Sequence, residues 1–171
     1  MGALPLVNAL QAVAASKLPP EVAAYFEAGS WDEVSATEAV GAWDRFRFLP
    51  RALRDVASID TSVEILGASL RCPVLVAPTA YQRLAHLEGE AEMARGVAAA
   101  GSLLVVSTRA TVRLEDIAAA GCPWWLQVYM LRDRDIVAAL VARAAAAGAS
   151  ALVKPVDSLL HLTRIFALWQ A

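Results

Sequence analysis

Two hydrophobic rhythms divide the chain. From Pro19 to Arg54 apolar residues recur at helical spacing. Val22, Tyr25 and Phe26 share one face behind Pro19-Pro20, a helix start where a missing N–H costs nothing. After a turn at Gly29-Ser30, Val40, Trp43 and Phe46 repeat the pattern within Ser35–Phe46, and Pro50 closes it. This part reads as a helical cap. Between Thr61 and Leu70 apolar and polar residues alternate about Gly67, which predicts a small two-stranded ribbon.

From Pro73 onward the rhythm changes to short apolar runs separated by helical stretches, recurring about every 25 residues, the signature of βαβ units and a parallel sheet. The strand candidates are Val74–Ala77, Leu103–Ser107, Trp124–Val128 and Ala151–Val153, each so uniformly apolar that burial on both faces is expected. Helices are predicted over Glu88–Ala100, Val112–Ala119 and Arg132–Ala147. Gly101, Gly121 and Gly148 fall just past them, where a left-handed closing residue is favoured. Small or polar residues follow each strand: Pro78-Thr79-Ala80, then Thr108 to Thr111, then Tyr129 to Asp133. In parallel α/β proteins such loops line the ligand site.

Composition narrows the function classes. The 171 residues are 58% hydrophobic and 19% charged, enough for about one packed core. With 15 basic against 17 acidic side chains and no basic cluster, nucleic acid is not an expected partner. Arg95, Gly96, Gly101, Arg143 and Gly148 interrupt the apolar stretches before the ~20 residues that span a bilayer, so no membrane span is expected. Residues 1–16 lack a basic start, and a cytoplasmic location is the corresponding expectation. Cys72 and Cys122 are read as free thiols, and His86 and His161 lack partners at metal-ligand spacing.

Several ordered segments resemble one family. They are Tyr25–Gly29 (YFEAG), Phe48–Val56 (FLPRALRDV), Cys72–Ala80 (CPVLVAPTA) leading to His86–Glu90 (HLEGE), and Leu126–Tyr129 (LQVY). Together, across about Pro19 to Asp157, the chain resembles the FMN-dependent α-hydroxy-acid oxidases and dehydrogenases, the group of glycolate oxidase, lactate oxidase and mandelate dehydrogenase. That resemblance implies an α/β fold in which a helical segment precedes a (β/α)8 TIM barrel. The corresponding division is 1–72 for the helical segment and ribbon, 73–158 for the first half of the FMN-binding barrel, and 159–171 for a divergent tail.

The resemblance also implies roles. The backbone of Pro78, Thr79 and Ala80 would lie along the flavin ring, Ser107 and Gln127 would hydrogen-bond it, and Tyr25 and Tyr129 would meet a 2-hydroxy acid at its carboxylate and its hydroxyl. Read without it, Pro78–Ala80 is a strand-ending turn, Ser107 and Gln127 are satisfied strand-end side chains, and the tyrosines are core aromatics with hydroxyls at the surface. His86 is expected to organise the loop before the first barrel helix, and Glu88 and Glu90 to suit that helix's dipole.

Departures from the family pattern carry their own expectations. The family's proton-accepting histidine, carboxylate-binding arginine and flavin-stabilising lysine have no match in residues 1–171, and His161 sits in an ordinary amphipathic stretch. A barrel of this type takes about 250 residues, so a truncated, inactive half-enzyme is expected. The alternatives are a noncatalytic half-barrel that binds a partner or small molecule, and one half of a split enzyme. Open strand edges predict association with a second copy or with the missing half. Arg109 stands where the family commonly has an aromatic residue, Pro155 replaces a threonine expected at the flavin, and the resemblance is lost after Ser158.

Overall fold

The computed structural model describes residues 7–29 and 31–156. They form two compact units that divide between Ile59 and Asp60.

The first unit contains α1 (Val7–Lys17), α2 (Pro20–Glu27) and α3 (Val34–Ala42), with a 3-10 turn over Trp43–Arg45. The carbonyl of Pro19 accepts from the N–H groups of Val22 and Ala23, both at 3.0 Å, and so starts α2 where the paired prolines predict. α1 was not expected; its alanine-rich sequence has good helix propensity but no apolar stripe. Edge-to-face packing joins Tyr25 and Phe26, with ring centroids 5.1 Å apart.

The second unit begins with the predicted hairpin, β1 (Val63–Ile65) paired antiparallel with β2 (Ala68–Leu70). Leu66 and Gly67 both take positive φ, 47° and 79°, as a two-residue type I′ connection requires. Three parallel strands then follow in sequence order: β3 (Leu104–Ser107), β4 (Trp124–Gln127) and β5 (Leu152–Val153). Between them run α4 (Gly89–Ala100), α5 (Leu114–Ala118) and α6 (Arg134–Ala146). Gly101, Gly121 and Gly148 close these helices at φ of 65°, 77° and 95°. Behind α4 the N–H groups of Gly101 and Ser102 return to the carbonyls of Ala98 and Val97, the paired bonds of a Schellman closure.

The candidate strand Val74–Ala77 is corrected to a single bridge, Val76 opposite Leu104. Val76 donates to the Leu103 carbonyl and accepts from Val105, both at 3.0 Å. Prolines at 73 and 78 bracket it and remove the N–H groups that a longer ladder would use.

Strand alternation sorts the core into two faces. Leu104, Val106, Trp124 and Leu126 pack toward the helices with Ala94, Val97, Ile117 and Val137. Leu103 and Val105 pack on the other face with Ala68 and Leu70 of the hairpin, and Trp125 and Val153 join them. The hairpin therefore belongs physically with the strands it covers. All four residues of β3 are buried, as expected for a strand covered on both sides.

Glu90 fixes the loops above the sheet. Read from sequence as a dipole partner, it proves to be 1% exposed and a three-bond hub. Oε1 accepts from the N–H of Gln82 (3.2 Å) and of Thr111 (3.0 Å), and Oε2 accepts from the Thr111 hydroxyl (2.7 Å). The loops after Val76 and after β3 thus hang from one carboxylate in the first turn of α4. Glu90→Ala is expected to lower stability by about 3 kcal/mol, because it strands buried donors, and Glu90→Gln by less; urea unfolding midpoints measure both. An Ala variant with an unchanged midpoint contradicts the hub.

A second polar tie joins α5 to α6. Arg143 grips Glu115 with two N–H donors, at 2.6 and 2.7 Å, and holds its carboxyl down to about 2. The folded pKa lies below the ordinary carboxylate value, so this contribution is complete above about pH 4.5 and disappears as pH falls toward 2. Both side chains are nearly half exposed, so the effect is small. Comparing wild type with Glu115→Gln across pH should show a stability gap at neutral pH that closes between pH 4.5 and 2; a gap that widens there contradicts the pairing.

Candidate functional site

Parallel register builds the site. Ser107 lies opposite Gln127, which lies opposite Val153, in one row at the C-terminal ends of the strands. Alternation places this row on the face away from the helices, directly past Val105 and Trp125. Ser107 and Gln127 are 4% and 2% exposed, an unusual place for polar side chains unless their bonding is met.

It is only half met. The Ser107 hydroxyl donates to Gln127 Oε1 at 3.1 Å and accepts from the N–H of Arg109 at 3.1 Å. The amide nitrogen Gln127 Nε2 is buried with no hydrogen-bond partner. Its oxygen is already engaged by Ser107, so the amide is held with its two donors toward a position that needs an acceptor.

Thr108 latches the two strand ends together: its hydroxyl donates to the Gln127 carbonyl and accepts from the Tyr129 N–H at 3.1 Å. Tyr129 follows β4 and remains 40% exposed at the rim. Arg109 leans over it, with the guanidinium carbon 5.8 Å from the ring centroid, and donates from Nη1 to the Tyr81 hydroxyl at 2.9 Å. Tyr81 returns its own N–H to the Arg109 carbonyl at 3.2 Å. Arg109, Tyr129, Leu131, Arg132 and Lys154 line a cleft of about 270 Å3 beside this rim.

Pro78, Thr79 and Ala80 leave the Val76 bridge at the same end of the sheet; Pro78 and Thr79 are exposed and Ala80 is half-buried. The Thr79 carbonyl accepts from Gln82 Nε2 at 3.4 Å. His86 accepts from the Glu88 N–H through Nδ1 at 3.2 Å, inside the loop that enters α4. Tyr25 lies on α2 in the first unit, 48% exposed. Pro155 lines the cleft with Lys154, while Ser158 and His161 lie outside the described residues.

The structure thus gathers Ser107, Gln127, Tyr129 and the Pro78–Ala80 loop at one end of the sheet. Sequence reading missed the latch by Thr108 and the Tyr81–Arg109 pairing. The latter joins residues 28 positions apart, and no local spacing announces it. Cys72 and Cys122 are free thiols, and burial pushes the Cys122 thiol upward. Among the described residues no helix is long and apolar enough to cross a membrane, and no group of three or more His, Cys, Asp or Glu could hold a metal.

Known proteins are similar to this chain in sequence and fold. Glycolate oxidase of Spinacia oleracea is 40% identical over 153 residues, which are 89% of this chain and 42% of that protein. L-lactate oxidase of Nostoc sp. is 40% identical over 139 residues, 78% of this chain and 38% of that protein. A crystal structure of mandelate oxidase superposes with a TM-score of 0.87 at 38% identity, covering 91% of this chain and 46% of that one. The chain therefore spans less than half the length of the relatives it matches. The model of the FMN-dependent dehydrogenase family matches residues 14–168. With a strand register, a polar rim and a match over nearly the whole sequence in agreement, this chain belongs to the FMN-dependent dehydrogenase family.

Proposed function

We propose that this chain forms the first half of an eight-stranded (β/α) barrel and one wall of an FMN site at which a 2-hydroxy acid is oxidised to a 2-keto acid. The observation that carries the reading is the orphaned donor of Gln127, buried at the strand ends beside Ser107. A buried donor without an acceptor costs about 1–3 kcal/mol, and a flavin ring, rich in carbonyl and ring-nitrogen acceptors, fits it. Pro78 and Thr79 are exposed and, with Ala80, carry small side chains of their own, which suits a flat ring lying alongside. FMN would supply the two-electron acceptor for the substrate carbon.

The other residues have assigned tasks. Ser107 orients the Gln127 amide by occupying its oxygen. Tyr129 presents its phenol toward the substrate's hydroxyl oxygen, and Thr108 fixes its backbone. No histidine lines the cleft beside Tyr129 among the described residues. β5 pairs with β4 alone among the described strands, which supports a continuation of the sheet at that edge. Beside β5, Met130, Val137, Val141 and Leu152 line an apolar groove suited to the following strand and helix. This groove favours association with further barrel over an independent half-barrel binding module.

Gln127→Leu should weaken FMN binding about tenfold, the loss of one good hydrogen bond, while changing the stability of the flavin-free chain by less than about 1 kcal/mol. Flavin fluorescence quenching and urea unfolding measure the two; equal FMN affinity in both proteins contradicts the assignment. With saturating FMN and 2-hydroxy acids, residues 1–171 alone should leave the visible absorbance of the oxidised flavin unchanged over minutes. Rapid bleaching by this chain alone would show that the base lies within it.

A further inference from the structure

The cleft beside Tyr129 has a charge pattern that a simple 2-hydroxy acid does not use. Arg109, Arg132 and Lys154 line it, and no Asp or Glu does among the described lining residues. Arg109 is the best placed of the three. The Tyr81 hydroxyl holds its Nη1 at 2.9 Å, the Tyr129 ring supports its flat face at 5.8 Å, and its backbone N–H is anchored on Ser107. A guanidinium fixed in this way has given up part of its rotamer freedom before any ligand arrives, which favours planar recognition of a carboxylate. It also stands at the position where the family resemblance led us to expect an aromatic side chain, so an apolar contact is exchanged for a cationic one.

We propose that Arg109 makes this site selective for 2-hydroxy acids that carry a second anionic group, a 2-hydroxy dicarboxylate above all. The inference rests on the proposed function only in placing the reacting hydroxyl at Tyr129. With that oxygen at the phenol, a carboxylate one or two carbons farther along reaches the guanidinium that leans over the same ring. Arg132 and Lys154 add positive potential to the cleft without needing direct contact.

The test is calorimetric titration of the full chain, with and without FMN, using (S)-malate, (S)-lactate and succinate at low salt. (S)-Malate should bind at least tenfold more tightly than either of the others. The malate-to-lactate ratio should fall to near one in Arg109→Met, stay intermediate in Arg109→Lys, and shrink in wild type as salt is raised. Circular dichroism establishes that the variants fold; if Arg109→Met does not, the Lys variant and Lys154→Met must each still reduce the ratio. Equal malate and lactate affinity, or a ratio unmoved by these substitutions, overturns the proposal, and so does succinate binding as tightly as malate. A chain that takes up no FMN yet prefers malate through Arg109 sinks the flavin reading and upholds this one; FMN uptake without dianion preference does the reverse.

Discussion

The hydrogen bond between the Ser107 hydroxyl and Gln127 Oε1 is the interaction on which the site depends. Parallel pairing brings the two residues opposite each other, and side-chain alternation turns both away from the helices. A one-residue slip of β4 against β3 would bury Gln127 among Leu104, Ile117 and Val137 instead, desolvating an amide with no partner. The apolar packing of the helix face therefore sets the register, and the register presents the polar row. What remains unsatisfied in that row is the amide nitrogen of Gln127, the donor that the proposed flavin site would use.

Around that row the structure uses polar groups for order rather than for chemistry. Thr108 ties the end of β3 to the backbone of β4, and Glu90 ties two loops to the start of α4. Both act on backbone groups, which holds loop positions within narrow limits while leaving the exposed faces of Pro78, Thr79 and Tyr129 open. Such support shells make a binding edge rigid enough to orient a flat ring. The same arrangement leaves an apolar groove open beside β5, lined by Met130, Val137, Val141 and Leu152.

Much of this was legible in the sequence for physical reasons. The runs LVVS, WWLQ and LV are apolar on both faces, and glycines with positive φ stop the intervening helices, so the βα repeat could be read from residue type alone. Val74–Ala77 reads equally apolar, but prolines at 73 and 78 cut its ladder to the single Val76 bridge. α1 stayed invisible because alanine favours a helix without drawing a stripe. Ser107 and Gln127 stood out as polar residues ending apolar strands. Glu90 did not, since an acidic residue in a first turn looks the same whether it faces water or three buried donors. Arg109 was visible only as a departure from an expected aromatic, and its grip on Tyr81 needed three dimensions.

The central claim is that the Gln127 side-chain amide is a donor held ready for flavin. Side-chain amide resonances of nitrogen-15-labelled protein, with Gln127 assigned by its loss in a Gln127→Leu variant, report on that group directly. On adding FMN, the Gln127 NH2 pair should move downfield and become protected from solvent exchange, while that of Gln11, on α1, stays in place. An unchanged Gln127 pair at saturating FMN would contradict the account.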